Sequence, residues 1–258
     1  MRITSTIAEL RHALVPMRTG RIGLVPTMGA IHAGHVALFE AARTECDTVV
    51  ASIFVNAAQF GDRADLAGYP RDLESDESVA AAANVDLIFA PSEEELYPPG
   101  FATWVVPEGA ALGLEGETRP GHFRGVATVC LKLFTIARPD VAYFGRKDAQ
   151  QVAVVKQLIR DLNLELEVRV VPTVRDVDGL ALSSRNGGLS PDERRRALAI
   201  PQALATGDPA RARAVLAEAG IEPDYLAVAD LDGPTLAVAA HVGSTRLIDN
   251  VLLEGDKS

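Results

Sequence analysis

His32 and His35 stand three residues apart in Pro26-Thr27-Met28-Gly29-Ala30-Ile31-His32-Ala33-Gly34-His35, where an apolar run gives way to an amphipathic one. A strand-to-helix turn of this kind aims backbone N–H groups and the positive end of a helix dipole at whatever lies above the strand. Imidazoles placed there can donate to phosphate oxygens as negative charge shifts during transfer at an α-phosphorus. On its own the pair reads equally well as one helix cap and one exposed residue. A metal site is a weaker reading, because nothing nearby supplies a third ligand at useful spacing.

Other clusters tip the balance toward a nucleotide. Phe144-Gly145-Arg146-Lys147-Asp148 again follows a strand-like run and opens a helix-like one. Gly145 allows close backbone approach, Lys147 can reach phosphates, and Asp148 can hold Mg²⁺ or a ribose hydroxyl, or simply cap the helix. Leu182-Ser183-Ser184-Arg185-Asn186 offers two hydroxyls and a guanidinium, a set suited to β- and γ-phosphates or departing pyrophosphate. Asn56, Gln59 and Gln151 are neutral amides in or beside apolar segments, able to orient the hydroxyl and carboxylate of a small hydroxy acid without adding charge. His122 and Arg124 form a short basic loop before a helix start, open to either phosphate contact or solvent.

Positioning these groups calls for a scaffold, and the chain of 258 residues is long enough to bury one. It is 48% hydrophobic and 23% charged, a globular composition. Its net charge of −10 argues against a broad nucleic-acid or acidic-membrane surface while leaving room for one small basic cleft. Cys46 and Cys130 are too few for a disulfide scaffold or a metal cluster and read as reduced, packed thiols. With no signal-peptide pattern and no long apolar run, a cytoplasmic enzyme that does not contact the membrane is expected.

Residues 21–27, 48–56, 85–90, 141–144 and 166–171 read as buried strands. Between them, residues 34–45, 72–84, 125–137 and 148–162 carry helical spacing. This alternation predicts an α/β fold with a parallel sheet, helices on both faces and ligands beyond the carboxyl ends of the strands. After Asp176 the pattern changes. Ser190-Pro191 and Asp208-Pro209 are helix starts, and residues 224–231, 235–240 and 245–253 read as antiparallel strands. A boundary falls in the polar stretch 174–179, giving domains of residues 1–175 and 176–258.

Taken in order, LVPTMGAIHAGH, SIFVNAAQFG, YPRDLESD, RPGHFRGVATV, FGRKDAQQ, GLALSSRN and VGSTRLIDN resemble the pantothenate synthetase (pantoate–β-alanine ligase) family along nearly the whole chain. The resemblance implies a Rossmann-like nucleotidyltransferase domain followed by a smaller α+β lid domain. It also implies two-step chemistry with ATP and Mg²⁺: pantoate is activated as pantoyl adenylate, and β-alanine then displaces AMP. By position, Met28, Gly29, Ala30, Ile31, His32, Ala33, Gly34 and His35 should line the ATP site. Gly145, Arg146, Lys147, Asp148, Val174, Leu182, Ser183, Ser184 and Arg185 should contact ATP as well, with Val174 against the adenine through its backbone. His35, His32, Lys147 and Arg185 carry the expected catalytic roles, and Asp148 the metal. Gln59, Gln151, Asn56 and His122 should hold substrate. Both histidines are expected chiefly to stabilise phosphate charge, since a carboxylate nucleophile has no proton to lose. A homodimer is implied by the family alone. Two departures stand out: Ala57-Ala58 where the family usually has a proline after the asparagine, and Arg146 where it usually has glutamate. The nearest rival is a nucleotidyltransferase acting on a phosphate monoester, which would need more Lys or Arg than these amides supply. A catalytically dead nucleotide-binding module is the rival from another class.

Overall fold

A computed structural model of the chain describes residues 1–61 and 63–253, and the side chains of all of these except residues 63 and 64. The chain runs β1 (Arg2–Thr4), α1 (Ile7–Leu14), β2 (Ile22–Thr27), α2 (Ala33–Glu45), β3 (Thr48–Ile53), α3 (Arg63–Gly68), α4 (Leu73–Ala82) and β4 (Leu87–Phe89). Then follow α5 (Glu93–Leu96), α6 (Leu114–Thr118), α7 (His122–Ala137), β5 (Val141–Gly145), α8 (Ala149–Asp161) and β6 (Glu167–Val171). The remainder is α9 (Pro191–Ala197), α10 (Ala199–Ala205), α11 (Pro209–Glu218), β7 (Pro223–Asp230), β8 (Pro234–Val242) and β9 (Thr245–Leu252).

Six strands form one sheet in the order β1-β4-β3-β2-β5-β6, and every pairing is parallel. Successive strand residues alternate between two helical layers, as the pleat requires. Leu24, Val50 and Phe144 pack with α1, α7 and α8, whereas Val25, Val49, Ala51 and Tyr143 pack with α2 and α4. The α/β reading from sequence holds, with helices on both faces. Because β3 and β5 flank β2 on opposite sides, strand order reverses there, and a crevice opens beyond the carboxyl ends of β2 and β5. Both glycine-containing turns singled out in the sequence lie at that crevice.

The N-terminal strand β1 and the short helices α3, α5 and α6 were not expected, being too short or too polar to show a period. Helix α7 begins at His122, three residues before its expected start at Gly125, because Gly121 takes a left-handed conformation (φ 82°) that turns the chain into it. The expected caps are present: Ser190 accepts the N–H of Glu193 in a capping box, and Asp208 accepts that of Arg211.

The stretch expected to hold the boundary is tighter than a polar linker. Asp176 N–H donates to the Leu180 carbonyl at 2.8 Å and Gly179 N–H to the Asp176 carbonyl at 2.9 Å, so residues 175–181 form a small antiparallel turn. Beyond it, β7, β8 and β9 form an antiparallel sheet. One face of that sheet joins α10 and α11 in a second core (Leu204, Leu216, Val238, Leu247). The other face lays Leu231 and Ala237 against Ala149 and Ala153 of α8, so the second sheet rests directly on the helix that follows the lysine turn.

Candidate active site

The turn after β2 is held open by its backbone. Gly29 and Ala30 have φ of 81° and 51°, and a Cβ on Gly29 would lie 2.6 Å from Oδ2 of Asp76. That buried carboxylate accepts the N–H groups of Ala30 (3.0 Å) and Ile31 (2.7 Å), which fixes how the turn enters α2. Asp76 ends the segment YPRDLESD, but no role was read for it, since its partners are backbone groups 45 and 46 residues away.

At the start of α2 the two histidines cap the helix and line the crevice at once. His32 Nδ1 accepts the Gly34 N–H at 3.1 Å, and His35 Nδ1 accepts the His32 N–H at 3.3 Å. An Nδ1 that accepts leaves the proton of a neutral ring on Nε2, so each ring keeps an Nε2–H donor. Burial, then the neighbouring His32 and Lys147 charges, push His35 down to about 3. Burial and Lys147 lower His32 as well. Two neutral donors with rings 4.2 Å apart therefore face the crevice.

Beyond β3, Asn56 and Gln59 are buried. Asn56 Nδ2 donates to Oε1 of Gln59 at 3.0 Å and to the Gly125 carbonyl at 3.1 Å, so it holds its neighbour's amide in place. Among the described residues, Gln59 Nε2 meets the sulfur of Met28, at 3.2 Å. A thioether is a weak acceptor, and a substrate oxygen would be a better partner for this N–H. The Gln59 carbonyl accepts from His122 Nδ1 (2.9 Å) and from Arg119 (3.4 Å). His122 therefore carries its proton on Nδ1, and burial followed by the Arg119 charge lowers it to about 4. Gly125 makes this packing possible: a Cβ there would sit 2.5 Å from the Ala58 carbonyl oxygen.

Lys147 and Asp148 line the crevice opposite the histidines. Asp148 occupies the N-cap position of α8 without bonding the helix through its side chain, and 45% of that side chain is exposed. No group of three or more His, Cys, Asp or Glu residues is gathered for a metal among the described residues. One exposed carboxylate suits an ion that arrives on phosphates and keeps most of its water, as Mg²⁺ does.

One residue sits differently from its sequence reading. Arg146 was expected at the nucleotide, but its guanidinium turns away into the second sheet, donating to Thr235 Oγ1 at 2.7 Å and to the Asp232 carbonyl at 3.4 Å. Arg124, left open between phosphate contact and solvent, lies exposed on α7 over the Trp104 ring at 4.5 Å, and Arg119 lines the crevice. The Arg146 correction follows from which side of its turn faces the strand ends, a property that spacing alone leaves open.

Gln150 and Gln151 both line the crevice, Gln150 buried and Gln151 half-buried. Gln150 donates to the carbonyls of Ala110, Leu112 and Gly113 and accepts the Glu115 N–H at 2.9 Å, pinning the chain before α6. Glu115 takes both arms of Arg246 (2.7 and 3.0 Å). Burial works against its charge, but Arg246 and Arg119 outweigh that and hold the carboxyl below its usual range.

Val174, Leu182, Ser183, Ser184 and Arg185 close the crevice from the hinge side. The Val174 carbonyl accepts the Leu182 N–H at 3.0 Å. Ser183 caps the following 3₁₀ turn, and Arg185 reaches across to Asp65 at 2.9 Å. Met28, Gly34, Gly145, Asn56, Gln59 and His122 also line the crevice, whereas Gly29, Ala30, Ile31 and Ala33, expected there, are not among its lining residues.

The family model described as pantoate-beta-alanine ligase matches residues 2–252. A pantothenate synthetase 1 from Bradyrhizobium diazoefficiens is 50% identical over the full length of both chains. A pantothenate synthetase from Moorella thermoacetica is 48% identical, covering 98% of this chain and 99% of that one. The crystal structure of pantothenate synthetase from Thermus thermophilus superposes with a TM-score of 0.91 at 48% identity, covering 99% and 100% of the two chains. A pantoate-beta-alanine ligase from Francisella tularensis, complexed with beta-gamma ATP and beta-alanine, superposes with a TM-score of 0.89 at 37% identity over the full length of both. The chain belongs to the pantoate–β-alanine ligase family.

Proposed function

We propose that this enzyme joins pantoate to β-alanine at the expense of ATP, through pantoyl adenylate, with AMP and pyrophosphate as by-products. The observation that carries the reading is that two neutral Nε2–H donors, His32 and His35, share one crevice with Lys147 and with the amides of Asn56, Gln59 and Gln151. In the first step a pantoate carboxylate oxygen attacks the α-phosphorus, and the bond from that phosphorus to the bridging oxygen of pyrophosphate breaks. Charge grows on the phosphoryl oxygens, where the histidines and Lys147 donate. No proton moves in this step, so neutral histidines are the right species for it. In the second step the β-alanine amine attacks the acyl carbon, the carbon–oxygen bond to AMP breaks, and the amine loses a proton.

Gln59 and Gln151 are assigned to pantoate, with Asn56 and His122 holding Gln59. Val174 backs the adenine, and Ser183, Ser184 and Arg185 meet the outer phosphates and pyrophosphate. Mg²⁺ enters with ATP and neutralises phosphate charge, with Asp148 as its protein ligand. Residues 1–175 serve as the ATP- and pantoate-binding domain and residues 176–258, described as far as Leu253, as the lid. The working assembly is a homodimer, on the family resemblance. A cytoplasmic location is supported by the absence, among the described residues, of a helix able to cross a membrane.

Product identity tests the reading. Pantothenate should form from pantoate, β-alanine and ATP with one AMP per turnover; ADP as the nucleotide product would overturn the adenylate route.

A further inference from the structure

The segment VGSTRLIDN is among those on which the family resemblance rests, yet no step of the reaction above uses it. Three of its side chains leave β9 for the first domain. Arg246 reaches Glu115, Asp249 pairs with both arms of Arg175 at the hinge (2.6 and 3.0 Å), and Asn250 reaches the lysine turn.

The last of these is the most informative. Asn250 is 5% exposed, and its Nδ2 donates to the carbonyls of Arg146 (3.0 Å) and Lys147 (2.9 Å). On the other side of the same turn, the Arg146 guanidinium is anchored on Thr235 and Asp232 of the second sheet. Lysine is a point charge on four rotatable carbons, so its ammonium is placed only as well as its backbone is. A buried amide bridging the two carbonyls that bracket the Lys147 backbone nitrogen and Cα is a direct means of fixing that backbone.

We propose that Asn250 is a positioning residue for the first half-reaction, holding the Arg146-Lys147 turn so that the Lys147 ammonium meets the phosphates of ATP. The lysine then belongs mechanically to the second sheet, although it lies in the first domain by sequence. This role rests on the function proposed above.

The test is single-turnover pyrophosphate release from Mg·ATP with pantoate, using the full chain as wild type, Asn250→Ala, Asn250→Ser, Lys147→Ala and the Asn250→Ala/Lys147→Ala double variant. Misplacement by ~1 Å slows reactions steeply, so Asn250→Ala should cost about tenfold or more in rate. Its KM for pantoate should stay within about twofold of wild type. Asn250→Ser, which keeps a donor, should recover part of the rate. If Asn250 acts through Lys147, the double variant should be no slower than Lys147→Ala alone. Wild-type rates in a folded Asn250→Ala, or losses that add in the double variant, would overturn the role. Failure of both Asn250 variants to fold would assign the residue to the fold and overturn it too. A wild-type enzyme that releases no pyrophosphate with pantoate is a separate result, and it removes the reaction itself.

Discussion

The imidazole of His35 accepts the backbone N–H of His32 through Nδ1, at 3.3 Å, so a residue that lines the crevice is also a rung of its own helix cap. Protonating that nitrogen would break the cap as well as bury a charge, consistent with a value near 3. His122, near 4, is held neutral by burial and the Arg119 charge, against its hydrogen bond to the Gln59 carbonyl. Each folded value lies below the ordinary 6.5, so the unfolded chain binds more protons between those limits and stability falls as pH drops. Well below pH 6.5 each ring contributes a slope of roughly 1.4 kcal/mol per pH unit. Urea midpoints for wild type should therefore fall between pH 7.5 and pH 5. His122→Gln should fall less over the same range. Equal slopes in the two proteins would contradict the assignment.

Adjacent glutamines should separate cleanly. Gln150→Ala strands the Glu115 N–H and three carbonyls and should lower stability by about 2–3 kcal/mol. Gln151→Ala should leave the melting temperature near wild type and raise the KM for pantoate. Thermal melts alongside steady-state kinetics check both, and exchanged phenotypes would mean the helix register is misread.

The neighbouring cations should separate too. Lys147→Ala should slow the first half-reaction by about 100-fold with little change in melting temperature. Arg146→Ala loses the contacts to Thr235 and Asp232 and should cost stability, on the order of 1–2 kcal/mol, more than rate. A rate loss for Arg146→Ala exceeding that for Lys147→Ala would place the wrong side chain at the nucleotide.

Gly125→Ala forces a methyl against the Ala58 carbonyl and the Gln59 nitrogen (2.6 Å). The turn carrying Asn56 and Gln59 must shift, at a cost of about 1–3 kcal/mol. Pantoate KM should rise more than ATP KM; an unchanged pantoate KM would show that Gln59 does not depend on this packing.

What the sequence revealed was the part written in local pattern. Alternating apolar runs gave the parallel sheet, and the turns at His32 and Lys147 fell at strand ends where ligands gather. The Ser190 and Asp208 caps were legible because a cap is a short-range signal. What stayed hidden depends on long-range contacts. Asp76 holds backbone groups 45 and 46 residues back, Glu115 needs an arginine 131 residues away, and Asn250 acts on carbonyls 103 and 104 residues back. Arg146 was misplaced because a basic residue in a turn has no periodicity to say which side it faces. Arg146 finds its partners only where the second sheet lies against α8.

The most direct test of the account is rapid-quench measurement of pyrophosphate from Mg·ATP with pantoate, first without and then with β-alanine. The account predicts a burst matching the enzyme concentration with pantoate alone, which becomes sustained turnover with AMP release once β-alanine is added. Pyrophosphate release that requires β-alanine from the outset, or that proceeds without pantoate, would contradict it.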